Sequence, residues 1–282
     1  MIAPEEAVRV ATGDVQLVGD VWPASAEPRG SVVLLHGGGQ RRHSWRRTGE
    51  RLAQQGWTAF AFDARGHGES GWSPDGDYSM NALVRDLQAI IGSLDEAPVL
   101  VGASMGGMTA LMGEAEQKGL SRGLVLVDVV ARLEPDGVER IRAFMEGVPE
   151  GFATLEDASD AIAAYNPHRP RPKSVEGLRK NLRRADDGRW HWHWDPAFLR
   201  IDNEPARESR HERARIAASR IRVPTLLVRG AESDIVSRAG IEEMLMLIPE
   251  SRAVEVPATG HMVAGDDNDV FTGELERFLA AL

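Results

Sequence analysis

A serine in a glycine-rich turn is the residue of this sequence best suited to nucleophilic chemistry. Ser104 lies between Gly102 and Gly106, directly after the apolar run 97–101 and directly before a helical pattern. Glycines two positions away on each side leave room where a strand and a helix crowd together, so the serine can adopt a strained conformation with its hydroxyl exposed. The N-terminus of the helix behind it favours developing negative charge. The pattern predicts that Ser104 is a nucleophile.

A serine hydroxyl is a poor nucleophile without a base, and the base needs an acid that orients it. His261 follows the strand pattern 254–256, and Asp234 follows the strand pattern 226–228. Because the carboxyl ends of parallel strands meet at one edge of a sheet, both side chains are expected near Ser104. We predict His261 as the general base and Asp234 as its orienting acid. Asp128 is the alternative acid, since it also ends a core strand.

The composition narrows the classes of partner that the chain could bind. Its 282 residues carry a formal net charge of −10 and no cysteine. This charge argues against a nucleic-acid or anionic-membrane surface, and the lack of cysteine excludes disulfides and thiolate metal sites. No apolar run approaches the roughly 20 residues of a membrane span, and the acidic start lacks the apolar stretch of a signal peptide. We expect a cytoplasmic protein that acts on a small molecule, with no nucleic acid or membrane as partner.

Short apolar strands alternate with amphipathic helices over the first 131 residues. This alternation predicts an α/β fold on a mostly parallel sheet, and Ser79 is predicted to cap the helix that follows it. From residue 132 the pattern becomes helical, including a predicted helix over 174–184, until strand patterns resume. We expect an α/β core formed by residues 1–131 and 222–282 and a helical cap formed by residues 132–221.

Several motifs together resemble the α/β-hydrolase superfamily. They are the run His36-Gly37-Gly38-Gly39, the turn Asp63-Ala64-Arg65-Gly66-His67-Gly68-Glu69-Ser70, the Ser104 turn, the stretch 230–234 and the pair Gly260-His261. The resemblance covers nearly the whole chain. It implies an eight-stranded, mostly parallel sheet flanked by helices, and a serine triad that needs no cofactor or metal. It also implies that the backbone N–H groups of Gly38 and Met105 form the oxyanion hole.

The resemblance extends to several kinds of hydrolase. Bacterial esterases, enol-lactonases, cofactor-free haloperoxidase-type enzymes and the meta-cleavage hydrolases of carbon–carbon bonds are all similar to this chain. The carbon–carbon hydrolases usually have Trp after the histidine, whereas this chain has Met262. Epoxide hydrolases and haloalkane dehalogenases carry Asp at the position of Ser104. Many relatives have one residue fewer between glycine and acid than the stretch 230–234, which leaves Glu232 as a further candidate acid, and some take the acid from the position of Asp128.

The walls of the substrate pocket are predicted near the glycine run and in the cap. The candidate lining residues are Gly39, His43, Trp190, Trp192, Trp194 and Met262. In an extended segment, side chains alternate between two faces, so the three tryptophans would line an apolar pocket while His191 and His193 face water. A zinc site at these two histidines is disfavoured because no third ligand lies nearby in sequence.

The sequence therefore predicts a serine hydrolase that cleaves a small, largely apolar carboxylic ester or lactone through an acyl-enzyme. The same triad could instead hydrolyse a carbon–carbon bond or act as a perhydrolase of the haloperoxidase type. A ligand-binding protein on a hydrolase scaffold is the alternative from another class. Whether the chain forms a homodimer is left open by the sequence.

Overall fold

The computed structural model describes residues 7–165, 174–200, 207–261, 263 and 269–282. The strands within these residues are β1 (Val8–Ala11), β2 (Gln16–Trp22), β3 (Gly30–Leu35), β4 (Trp57–Phe62), β5 (Val99–Ala103), β6 (Gly123–Val127), β7 (Leu182–Arg184), β8 (Trp190–Trp192), β9 (Thr225–Gly230) and β10 (Ser251–Val256). Eight of them form one sheet in the order β1, β2, β4, β3, β5, β6, β9, β10, while β7 pairs with β8. This sheet confirms the predicted α/β architecture.

The helices in the described part of the chain are α1 (Arg46–Gln54), α2 (Met80–Gly92), α3 (Met105–Glu116), α4 (Pro135–Glu146), α5 (Leu155–Tyr165), α6 (Arg207–Arg220), α7 (Arg238–Leu247) and α8 (Asp269–Leu279). Alternate residues of the buried strands point to opposite faces. In β3, Val32 and Leu34 pack with α1 and α8, whereas Val33 and Leu35 pack with α2, α3, α6 and α7. The sheet is therefore buried on both faces. None of the described helices is long and apolar enough to cross a membrane.

The pairing of the strands gives the sheet one edge at which most loops gather. Strand β2 pairs antiparallel with β1 on one side and with β4 on the other, and every other pair in the large sheet is parallel. The loops that follow β3, β5, β6, β9 and β10 therefore leave from the same edge, which we call the carboxyl edge. Ser79 caps α2 as predicted, because its hydroxyl accepts the N–H of Ala82 at 3.3 Å.

We call the described residues 132–165 and 174–200, which lie between β6 and α6, the insertion. It has an apolar cluster of its own, made of Phe152, Leu155, Ala158 and Leu182. The helix predicted over 174–184 is wrong in its second half, because Leu182 pairs with Trp192 between β7 and β8. Pairing with a distant segment overrides the local helical pattern here.

Helix α6, which the sequence boundaries assign to the predicted cap, packs with helices of the predicted core. Its residues Ala214, Ala217 and Ala218 are buried in the same apolar cluster as α2, α3 and α7. Small side chains on one face allow this helix to lie close to its neighbours. The division of the chain into core and cap stays a prediction.

Three buried histidines hold the glycine loop, residues 36–40, which follows β3. His36 accepts the N–H of Ala64 through Nε2 (2.9 Å), and His67 accepts the N–H of Gly39 through Nε2 (3.1 Å). His193, from the insertion, accepts the N–H of Gly68 through Nδ1 (2.9 Å). Each imidazole thus fastens one segment to another.

All three imidazoles are held in the neutral form. In each ring one nitrogen accepts a backbone N–H, so the proton must lie on the other nitrogen, which donates to a carbonyl oxygen: that of Gly37 for His36, Arg65 for His67 and Gly39 for His193. Burial lowers the pKa of His36, and burial together with the two neighbouring imidazoles lowers that of His67 further. Burial, assisted by Arg41, lowers the pKa of His193 to about 3.

We predict that these histidines make the protein sensitive to acid. Below pH ~6.5 these histidines bind protons in the unfolded chain but not in the folded protein. As the pH is lowered, the free energy of unfolding should therefore decrease by up to about 1.4 kcal/mol per pH unit for each histidine. The variant His193→Gln keeps a donor and an acceptor but cannot titrate. Its unfolding free energy, measured by urea denaturation, should show a slope shallower by about one proton between pH ~6 and ~4, with a constant offset above pH ~7.5. Equal slopes in both proteins would contradict this role.

Candidate active site

A strained residue, Ser104, directly follows strand β5. Its φ of 48° and ψ of −113° are unusual for a residue with a side chain, and its N–H donates to the carbonyl of Val127 on β6 at 3.0 Å. A Cβ at Gly102 would lie 2.5 Å from the backbone of Gly106, and a Cβ at Gly106 would lie 2.5 Å from the carbonyl oxygen of Leu35. The predicted crowding of strand and helix is confirmed, and it explains both glycines.

The glycine loop lies beside this serine at the carboxyl edge. A Cβ at Gly37 would be 3.4 Å from the Cβ of Ser104. The N–H of Gly37 donates to Oε1 of Gln40 at 3.1 Å, and that of Gly39 donates to His67. Two of the three glycine N–H groups are therefore engaged within the fold.

The N–H groups of Gly38 and Met105 are unengaged in the described part of the chain. Gly38 stands between the two engaged glycines, and Met105 begins α3 directly after Ser104. No acceptor within the described residues takes a hydrogen bond from either group. These are the two donors that the resemblance implies for an oxyanion hole.

The loop after β10 brings an imidazole to the end of β6. Nδ1 of His261 lies 2.7 Å from Oδ2 of Asp128. An ionised carboxylate can only accept hydrogen bonds, so Nδ1 of His261 carries a proton and donates it to Asp128. The side chain of His261 is 15% exposed, whereas that of Asp128 is 1% exposed.

The carboxylate of Asp128 is fully engaged at its buried position. Oδ1 accepts the N–H of Gly230 at 3.0 Å, and Oδ2 accepts the hydroxyl of Ser233 at 2.7 Å in addition to His261. The backbone of Asp128 has a φ of 49°, and its N–H donates to Val228 on β9 at 2.7 Å. Three donors offset the cost of removing the charge from water.

The structure corrects the predicted partnership between Asp234 and His261. Asp234 forms an ion pair with Arg140 of α4, and its side chain is 31% exposed. The reason is a tight turn in which the N–H of Ser233 donates to the carbonyl of Gly230 at 3.0 Å. This turn directs Ser233 toward the carboxyl edge and carries Asp234 past it, so the alternative acid, Asp128, takes the position beside the histidine.

The insertion covers the glycine loop with apolar side chains. A Cβ at Gly39, which has a φ of 72°, would lie 3.1 Å from the methyl of Met145 and 3.3 Å from the ring of Trp194. A Cβ at Gly38 would lie 3.6 Å from the ring of Phe198. The predicted pocket residues Gly39 and Trp194 are thus in contact, next to Gly38.

The other predicted pocket residues that the structure describes, Trp192, Trp190 and His43, have different surroundings. Trp192 stacks on Trp194 with ring centroids 5.0 Å apart, whereas Trp190 packs against the guanidinium of Arg179. His43 lies in the short 3-10 helix Arg42–Trp45, where burial and neighbouring arginines lower its pKa. Met262 lies outside the described residues.

The prediction that the histidines between the tryptophans face water is wrong for His193. Its side chain is buried, and both of its nitrogens are hydrogen bonded to the loops around residues 39 and 68. In the described ranges, no three side chains of His, Asp or Glu are grouped so that they could hold a metal ion.

A buried hydrogen bond fastens the insertion next to Phe198. The hydroxyl of Tyr78 donates to Oδ2 of Asp195 at 2.5 Å, and burial together with this carboxylate raises the pKa of the phenol above its usual value. Asp195 also caps the short helix Pro196–Leu199 by accepting the N–H of Ala197 at 2.9 Å. The position of Phe198 above Gly38 follows from this anchor.

Three residues of the candidate site were not predicted from the sequence. Met145 and Phe198 reach the glycine loop from the insertion, and nothing in their local pattern indicates this. Ser233 touches the acid, and a signal for it existed. It stands one position before Asp234, where the shorter spacing of many relatives would place the acid.

Comparison with known proteins places the chain among hydrolases. A family model described as the alpha/beta hydrolase family matches residues 32–274. The esterase Rv0045c of Mycobacterium tuberculosis is 32% identical over 273 residues, which cover 93% of this chain and 85% of that protein. The 3-hydroxybutyrate-oligomer hydrolase of Cupriavidus necator is 32% identical over 217 residues, covering 71% of each chain.

Solved structures agree with this fold. The crystal structure of E-2-(acetamidomethylene)succinate hydrolase matches 97% of this chain and 98% of its own length with a TM-score of 0.82, at 22% identity. The match to the family model spans most of the chain, and the sheet, the strained serine turn and the glycine loop are in the places that the motifs predicted. The chain therefore belongs to the alpha/beta hydrolase family and is an enzyme of that family.

Proposed function

We propose that this enzyme cleaves carboxylic esters by forming an acyl-enzyme on Ser104. The observation that carries the proposal is the 2.7 Å contact between His261 and Asp128, one residue beyond the carbonyl that binds the N–H of Ser104. Nucleophile, base and acid follow β5, β10 and β6 respectively, at the same edge of the sheet. The proposed triad is Ser104, His261 and Asp128.

In the first half of the reaction, Oγ of Ser104 attacks the carbonyl carbon of the ester while Nε2 of His261 accepts the hydroxyl proton. The imidazolium is stabilised by the carboxylate of Asp128 through the Nδ1 proton. When the tetrahedral intermediate collapses, the bond to the alcohol oxygen breaks and Nε2 returns the proton to that oxygen. The acyl group then remains on Ser104 as an ester.

In the second half of the reaction, water hydrolyses the acyl-enzyme. A water molecule attacks the acyl carbon and gives a proton to His261, and the second intermediate breaks its bond to Ser104, whose oxygen takes the proton back. The products are a carboxylic acid and free enzyme. In both intermediates the negative charge lies on the former carbonyl oxygen, and we assign its stabilisation to the N–H groups of Gly38 and Met105.

The proposed substrate is a small ester with an apolar acyl or alcohol part, including a cyclic ester such as a lactone. Support comes from the apolar side chains Met145, Trp194 and Phe198 above the glycine loop and from the relatives named esterase and 3-hydroxybutyrate-oligomer hydrolase. We propose that the insertion acts as the cap of the site, because these three side chains all come from it.

Ester hydrolysis should depend on the hydroxyl at position 104. We expect wild-type enzyme to release nitrophenol from 4-nitrophenyl acetate or butyrate, and Ser104→Ala to lose more than about 10⁴-fold in kcat. Its free energy of unfolding should change by less than about 1 kcal/mol, since the variant removes no core contact. Ser219→Ala, which removes an exposed hydroxyl from α6, is the matched control and should keep full activity. Unchanged turnover in Ser104→Ala would overturn the proposal.

The two candidate acids can be separated by paired substitutions. Asp128→Asn should lower kcat by about 10⁴-fold, because the amide cannot hold the imidazole in the required tautomer or stabilise its cation. Asp234→Asn should leave kcat within about threefold, since it breaks an exposed ion pair. Steady-state kinetics on one nitrophenyl ester and circular dichroism of both variants provide the measurement. The opposite ranking would return the role to Asp234.

A further inference from the structure

We propose that Ser233 is a positioning residue that aims the carboxylate of Asp128 at His261. The inference rests on the proposed function and extends the site by one residue. The hydroxyl of Ser233 lies 2.7 Å from Oδ2 of Asp128, the same oxygen that accepts the Nδ1 proton of His261. Ser233 thus acts through Asp128 and has no contact with the reacting atoms.

The direction of the serine proton is set by the backbone. Oγ of Ser233 accepts the N–H groups of Ile235 and Val236 at 3.3 and 3.1 Å. A hydroxyl oxygen has two lone pairs and one proton. Because both lone pairs face backbone donors, the proton must point at the carboxylate. This geometry distinguishes Ser233 from a hydroxyl that rotates to suit its neighbours.

The consequence is a carboxylate with a single orientation. Gly230 donates to Oδ1 and Ser233 donates to Oδ2, so each oxygen of the Asp128 carboxylate has a donor besides His261 and the plane of the group is fixed. Without Ser233 the group could rotate about its terminal torsion, which is broad for aspartate. The imidazole would then spend less time with Nε2 directed at Ser104, which affects the chemical step more than substrate binding.

The kinetic test compares Ser233→Ala with a conservative and a matched variant. We expect Ser233→Ala to lower kcat by roughly ten- to hundredfold, the factor that corresponds to a hydrogen bond to a charged group, with KM for 4-nitrophenyl butyrate within about twofold. Ser233→Thr retains the hydroxyl and should recover most of the loss. Ser237 lies in the same loop, and its hydroxyl caps α7 by accepting the N–H of Gly240. Ser237→Ala removes this hydroxyl. It should lower the melting temperature while kcat stays within about twofold.

A spectroscopic measurement separates this inference from the proposed function. The Nδ1 proton that His261 shares with Asp128 should give a strongly downfield-shifted ¹H NMR signal in wild-type enzyme, and the signal should be absent from His261→Gln. In Ser233→Ala it should move or broaden, whether or not the protein hydrolyses esters, and in Ser237→Ala it should not. If kcat and the NMR signal are both unchanged in Ser233→Ala while only its melting temperature falls, Ser233 is a turn residue alone and the inference is overturned. The proposed function, in contrast, would be overturned if Ser104→Ala still hydrolysed the ester.

Discussion

The hydrogen bond between Asp128 and His261 is the interaction on which the candidate site depends. It ties the loop after β10, the outermost strand at one side of the sheet, to the end of β6 near its centre. A buried carboxylate is costly unless its oxygens are hydrogen bonded, and here Gly230, Ser233 and His261 supply the donors. The same bonds that make the charge tolerable also orient the imidazole, so the stability of this corner and its chemistry have a common origin.

A second constraint acts on the glycine loop. Its residue Gly39 donates its N–H to His67 and accepts a hydrogen bond from His193 at its carbonyl oxygen, so the core and the insertion meet at one residue. Neutral imidazoles are suited to this task because each provides one donor and one acceptor to backbone groups. Gly37 and Gly39 are engaged in this way, whereas the N–H of Gly38 has no acceptor among the described residues. The position of the candidate oxyanion donor therefore follows from hydrogen bonds made by its neighbours.

The predicted position of the acid that contacts His261 shows what sequence spacing can and cannot predict. A strand pattern locates the end of β9 to within a few residues, and both Ser233 and Asp234 follow that end. Which of the two faces the carboxyl edge is decided by the turn that closes at Gly230, since consecutive residues in a turn point in different directions. The spacing is one residue longer than in many relatives, and the residue that reaches Asp128 from this turn is Ser233 rather than Asp234.

Features that depend on neighbouring residues could be predicted from the sequence: the strand–turn–helix around Ser104, the cap of α2 by Ser79, and the alternation of buried strands and helices. These follow from steric crowding and from side-chain periodicity, which act over a few positions. The partner of His261 lies 133 positions away in sequence and became known from the fold. The fold also decided the pairing of β7 with β8 and the side chains above Gly38. Each of these depends on contacts between distant segments, whose geometry no local pattern contains.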